Sequence, residues 1–80
     1  MSTGIEQLKA VLAQNIKARR SALGLAQERL GLDAGVDRTV VSKIERQLAN
    51  PSLEILFRIA ERLEISVPEL LLQESRNKRL

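Results

Sequence analysis

Histidine and cysteine are both absent from this chain of 80 residues. Without histidine, the sequence lacks the usual general base and the commonest metal ligand. Without cysteine, it can form neither disulfides nor thiolate metal sites. A glycine-rich phosphate loop is also missing, so we expect neither an enzyme nor a protein that carries a cofactor or a metal.

Aromatic residues are nearly absent as well, since Phe57 is the only one. Apolar residues nevertheless make up 44% of the chain, so its core has to be aliphatic. A lone phenylalanine at helical spacing predicts a core residue rather than a platform on which bases stack. RNA binding, which commonly uses such platforms, is therefore poorly supported.

Long apolar runs and a secretory signal are also absent, so a cytoplasmic protein that does not enter a membrane is expected.

The net charge of +3 is modest but unevenly distributed. Residues 17–46 contain seven basic and four acidic side chains, whereas residues 53–74 contain two basic and five acidic ones. This asymmetry fits a protein with one face for nucleic acid.

The apolar spacing predicts one all-α domain, with its core in residues 5–73 and a flexible tail at 74–80. Met1–Gly4 should also be loose. Glycines at positions 24 and 35 are placed to close helices. Five helices are predicted: Ile5–Ala22, Gln27–Ala34, Arg38 to about Arg46, Leu53 to about Leu63, and one from near Ser66. Two inner stripes are expected, one of Ile5, Leu8, Leu12 and Ile16, the other of Leu53, Leu56, Phe57, Ala60 and Leu63.

The third predicted helix has one apolar and one polar face. Asp37 can cap its first turn, and Val40, Val41 and Ile44 share the inner side. The outer side carries the polar residues expected to read base edges in a DNA major groove: Arg38, Thr39, Ser42 and Lys43. Arginine and lysine suit the acceptors of guanine, and the threonine methyl suits thymine.

These residues resemble the helix-turn-helix of Cro and phage-repressor proteins. The matching positions are Gly24, Leu25, Gln27, Leu30, Gly35, Val36, Arg38, Thr39, Val41, Ser42, Ile44, Glu45 and Asn50–Leu53. The segments DRT, IER and NPS are similar to restriction–modification controller proteins. The resemblance implies a compact lambda-repressor-like domain with its helix-turn-helix at the second and third helices.

Further roles are expected for charged and polar residues around this motif. The phosphate backbone should be contacted by Gln27, Lys17, Arg19 and Arg46. The resemblance supports that role for Gln27, which could instead cap its own helix. Arg20 continues an apolar stripe and is expected to pair with Glu45, the alternative being that its charged end reaches solvent.

The fifth helix offers a surface for assembly, because one face cannot bury three leucines in a row. A homodimer interface is expected at Ile65, Val67, Leu70, Leu71 and Leu72, unless one leucine is simply exposed. The leading hypothesis is a homodimeric transcriptional regulator of double-stranded DNA that binds an inverted repeat. The alternative is an antitoxin that masks a toxin through this surface and regulates its own operon.

Overall fold

The computed structural model describes residues 4–73, which form five helices and no strand. The helices are α1 Gly4–Ala22, α2 Gln27–Ala34, α3 Arg38–Glu45, α4 Leu53–Leu63 and α5 Val67–Leu71. The predicted all-α, five-helix class is confirmed, and Gly4, expected in a loose terminus, begins α1. The rest of that terminus and the tail predicted at 74–80 lie outside the described residues.

Local sequence explains where the helices begin and end. Gly24 and Gly35 adopt the left-handed conformation after α1 and α2, with φ of 68° and 74°. The Ser52 hydroxyl accepts a hydrogen bond from the Ile55 amide at the start of α4. Ser66 and Glu69 form a capping box before α5, each side chain accepting from the other residue's backbone N–H.

The helices enclose one aliphatic core. α1 packs on α3 and α5, while α2 packs on α3 and α4. Because all five helices contribute to one cluster, α3 is held from behind and its outer face stays open. The buried apolar residues of this cluster are Leu12, Ile16, Leu30, Val41, Ile44, Leu56, Ile59, Ala60, Leu63 and Leu70.

The inner stripe of α1 was predicted too long. Ile5 and Leu8 are exposed, and burial begins one turn later at Val11 and Leu12. Periodicity identifies the apolar face of a helix, but it does not show where along the helix its packing partners begin.

The inner stripe of α4 was predicted with the wrong residues in two places. Leu53 and Phe57 are 73% and 57% exposed, whereas Ile59 is fully buried. Leu56, Ala60 and Leu63 are in the core as expected. α4 carries more apolar residues than one face can hold, so its sequence alone leaves the rotation of the helix about its axis undetermined. Packing against its neighbours sets that rotation.

The three leucines of α5 fall in three different environments. Leu70 is fully buried in the core, Leu71 is half-buried and Leu72 is exposed. The prediction that Leu70 belongs to a dimer interface is therefore wrong, because its side chain fills the centre of the monomer. Asn15 of α1 fixes this end of α5 by donating from Nδ2 to the Leu70 and Leu72 carbonyls at 2.8 and 2.9 Å.

Candidate nucleic-acid interface

The start of α3 is fixed by Asp37. One of its carboxylate oxygens accepts hydrogen bonds from the Thr39 amide and the Thr39 hydroxyl, both at 2.9 Å. These bonds, the amide first, lower the pKa of Asp37 below its ordinary value. Because the hydroxyl is committed to the cap, the methyl group of Thr39 is the part of this side chain left for a contact outside the protein.

The two faces of α3 differ as the sequence predicts. Val41 and Ile44 are buried in the core, and Val40 is half-buried. The outer face presents Arg38, Thr39, Lys43 and Arg46 to solvent, with Ser42 half-buried between them. A rigidly backed helix with a polar, mainly basic surface is suited to the major groove, where side chains can reach base edges.

Gly31 lets α2 and α3 approach closely. A Cβ added here would lie 3.1 Å from both the Arg38 Cα and the Val36 carbonyl oxygen. Both of these are backbone atoms that a side-chain rotation cannot move. A small residue is therefore needed to set the angle and distance at which α3 leaves the turn.

A buried polar network joins α1, α2 and α3. The Arg20 guanidinium bonds both oxygens of Glu45 and also donates to the Leu25 carbonyl at 2.7 Å. The Gln27 amide donates to Glu45 at 2.9 Å. Burial would raise the pKa of Glu45, but the hydrogen bonds from Arg20 and Gln27, together with the nearby Arg20 and Lys17 charges, lower it overall. The expected Arg20–Glu45 ion pair is thus present in the structure.

Gln27 therefore does not cap α2 with its side chain. Ala26 occupies the N-cap position and offers no side-chain acceptor. The first backbone N–H groups of α2 remain available at the mouth of a groove of about 350 Å³. The groove lies between the N-terminal ends of α2 and α3 and is lined by Gln27, Glu28, Arg38, Thr39 and Ser42. Free N–H groups at a helix start favour an anion such as a phosphate.

The residues expected on the phosphate backbone divide into two groups. Lys17 and Arg46 are exposed, and both lie near α3. The positive charge of Lys17 helps to lower the pKa of Glu45 in α3, and Arg46 is the C-cap residue of this helix. Arg19 is half-buried, and its Nε donates to the Leu63 carbonyl at 2.8 Å. Arg19, which was expected to contact the phosphate backbone, instead ties α1 to the end of α4 through this bond.

Sequence analysis overlooked Glu28. Its carboxylate lies 3.2 Å from Nη1 of Arg38, across the groove between α2 and α3. No motif marks this residue. The available signal was an acidic side chain in the first turn of one motif helix and a basic one at the start of the next.

Two further features of residues 4–73 concern metal binding and membrane-spanning helices. Within this range, no group of three or more acidic side chains could hold a metal ion. Over the same residues, no helix combines the length and apolar character needed to cross a membrane.

Comparison with known proteins identifies relatives of this chain. The helix-turn-helix family model matches residues 16–70. The control protein C.SmaI of Serratia marcescens is 36% identical over 67 residues, which cover 84% of this chain and 80% of that protein.

Two solved structures extend the comparison. The hypothetical transcription factor NHTF from Neisseria superposes with a TM-score of 0.81 at 40% identity, covering 85% of this chain and 79% of that one. The restriction–modification controller C.AhdI from Aeromonas hydrophila gives a TM-score of 0.74 at 35% identity, covering 78% and 94%. The predicted resemblance to controller proteins is confirmed, and these relatives are regulators rather than enzymes.

Proposed function

Since this chain belongs to the helix-turn-helix family of DNA-binding transcriptional regulators, we propose that it binds an inverted-repeat operator as a homodimer, in the cytoplasm. The observation that carries the proposal is the construction of α3. Its inner residues are locked into the core, its first turn is capped by Asp37, and its outer face is polar and basic. Such a helix can enter the major groove without rearrangement of the domain.

The base-reading residues are Arg38, Thr39, Ser42 and Lys43. Arg38 and Lys43 donate to guanine O6 and N7, and the Thr39 methyl contacts a thymine methyl. These three side chains are exposed on one helix face, so a single docking can use all of them. Ser42 is half-buried and contributes at the edge of this surface.

Phosphate contacts fix the position of α3 in the groove. Lys17 and Arg46 supply positive charge near this helix, and the uncapped start of α2 supplies backbone N–H donors. Gln27 contributes from this same helix start, where its bond to Glu45 holds the side chain in place. Arg19 is not part of the proposed set.

The dimer surface is proposed on α4 and α5. Leu53 and Phe57 are one turn apart on α4 and form an exposed apolar surface that includes the chain's only aromatic ring. Large exposed apolar residues, aromatic ones above all, favour contact with a second copy of the chain. The proposed surface also includes the accessible residues of the expected interface, which lie in and beside α5: Ile65, Val67, Leu71 and Leu72. Leu70 is excluded because it is buried.

Site selection from random duplex DNA, followed by footprinting, tests the function. We expect inverted half-sites about 10–11 base pairs apart, centre to centre. Arg38→Ala should leave the dimer intact and relax base choice at one position per half-site, costing about 1–3 kcal/mol each. If no sequence is enriched, or the footprint lacks two-fold symmetry, the proposed operator is wrong.

Sedimentation of charged variants tests the dimer separately. Phe57→Glu should give a folded monomer that binds one half-site weakly, because a carboxylate would be buried in the interface. Leu72→Glu is the matched change on α5. If only Leu72→Glu dissociates the dimer, the interface does not include the α4 surface around Phe57. A wild-type protein that stays monomeric at high concentration would contradict the homodimer and favour the antitoxin hypothesis.

A further inference from the structure

We propose that Glu28 is a positioning residue that holds Arg38 in the orientation that reads guanine, an inference that rests on the proposed function. Glu28 stands in the first turn of α2 and Arg38 is the first residue of α3. Their side chains meet across the groove between the two helices, with Oε2 of Glu28 3.2 Å from Nη1 of Arg38.

The geometry leaves the right atoms of Arg38 free. A guanidinium carries five N–H donors in one plane, and guanine recognition needs two that point the same way. Nη1 donates a hydrogen bond to the Glu28 carboxylate. Nη2 and Nε remain without a protein acceptor in the described residues 4–73, and they can face guanine O6 and N7. A carboxylate on one side and a guanine on the other would then share the same planar group.

A second carboxylate, that of Asp37, also lies near Arg38, but its hydrogen bonds within residues 4–73 serve the cap of α3. Asp37 uses one oxygen to accept the two hydrogen bonds from Thr39 that cap α3. Glu28 has no such structural bond, and its carboxylate is directed to the groove that Arg38 lines. Of these two carboxylates, Glu28 is the one that accepts a hydrogen bond from the Arg38 side chain, and it is therefore the one proposed to orient it.

Stability does not explain this pair. The side chains of Glu28 and Arg38 are 64% and 69% exposed, and an ion pair so open to water contributes little to folding. Its location also opposes DNA affinity, because a carboxylate beside the proposed docking surface repels phosphates. A feature that adds little stability and weakens general DNA binding is best accounted for as a source of discrimination. It restrains a flexible cation that would otherwise accept many bases and phosphates.

The experiment compares Glu28→Gln with wild type on two duplexes. One is the selected operator, and the other carries a single substitution at the base pair where Arg38→Ala relaxes choice. Glu61→Gln is the charge-matched control, since Glu61 is exposed on α4 and lines the separate groove between α2 and α4. Thermal unfolding should be unchanged in both variants, which excludes a folding defect.

We expect Glu28→Gln to reduce the preference for guanine at this position by about fivefold, while binding to scrambled DNA rises about twofold to fivefold. Glu28→Asp, whose shorter carboxylate can still reach Arg38 after a small movement, should recover part of the preference. In an Arg38→Ala background, Glu28→Gln should have no further effect on base choice, because the group being positioned is gone.

Two outcomes would overturn the proposal. Equal strengthening on both duplexes would mean that Glu28 only repels DNA. A changed preference that persists in the Arg38→Ala background would mean that Glu28 reads a base directly, for instance by accepting from cytosine N4. Failure of the proposed function looks different, because wild type would then enrich no operator at all.

Discussion

The guanidinium of Arg20 lies side-on against the carboxylate of Glu45, with Nε 2.8 Å from Oε2 and Nη2 3.0 Å from Oε1. The Glu45 side chain is 3% exposed and that of Arg20 is 19% exposed. This two-point contact joins α1 to the inner side of α3. It therefore holds in place the helix whose outer face is proposed to contact DNA.

Removing one partner of this pair should be strongly destabilising. Arg20→Ala or Glu45→Ala leaves the other charge buried without its partner, which costs about 3–5 kcal/mol. The double variant should lose less than the sum of the two, because no stranded charge remains. Urea unfolding of the three proteins measures this. Additive losses below about 1 kcal/mol each would mean that water screens the pair.

Stability should fall in acid and stay nearly flat near neutrality. The pKa of Glu45 is lowered in the folded protein despite its burial. Its contribution is thus complete above the ordinary carboxyl range and is lost as the pH falls through the folded pKa, which is lower than the ordinary one. The chain has no histidine to titrate near neutrality. Glu45→Gln should flatten the acid limb of a melting-temperature profile, and an unchanged limb would assign it to other carboxylates.

Replacing Gln47 by glycine should increase the stability of the folded protein. This residue takes a left-handed conformation, φ 63°, directly after the C-cap of α3. Its amide donates to Ile44 O, and the next amide donates to Lys43 O, so the turn itself is well formed. Gln47→Gly removes the clash of Cβ and should add about 1 kcal/mol of stability. Gln47→Ala keeps the Cβ and is the control. Equal melting temperatures for the two variants would show that the backbone there is unstrained.

Replacing Asn15 should lower the stability of the protein, because this α1 residue holds the end of α5 in place. Its amide donates to two carbonyls at the end of α5, a helix of only five residues. Asn15→Ala leaves both acceptors without this partner and should cost about 1–2 kcal/mol. Asn15→Asp should cost more at neutral pH, since a carboxylate would face carbonyl oxygens, and less in acid. Gln14→Ala, an exposed neighbour, is the control. A loss in Asn15→Asp that does not depend on pH would argue against this contact.

Phosphate contacts predict a particular salt dependence. Lys17→Ala and Arg46→Ala should each weaken cognate and scrambled duplexes equally, and each should lower the slope of log affinity against log salt by about 1. Lys9→Ala removes the same charge two turns earlier in α1 and should leave the slope unchanged. Titrations at several salt concentrations decide this. A loss confined to the cognate duplex would instead make Lys17 or Arg46 a base-reading residue.

Local features were readable from the sequence because their causes are local. Asp37, Gly35 and the Ser66–Glu69 box lie within a few residues of the backbone groups they satisfy. The end of α2 at Gly35 and the start of α4 at Ser52 followed from such caps. The two faces of α3 followed from the spacing of its own apolar residues. Even the Arg20–Glu45 pair could be anticipated, since a charge on an apolar stripe requires a partner.

Features that depend on how helices meet were decided only by the tertiary structure. Packing rotates α4 so that Ile59 is buried while Phe57 faces solvent, although both are apolar. It sends Arg19 to the end of α4 and brings Glu28 within reach of Arg38, ten residues away. A sequence indicates helix caps and the apolar face of a single short helix such as α3, because those features arise within one or two turns. Which side chains from different helices touch depends on interhelical angles and distances, which arise only when the whole core closes.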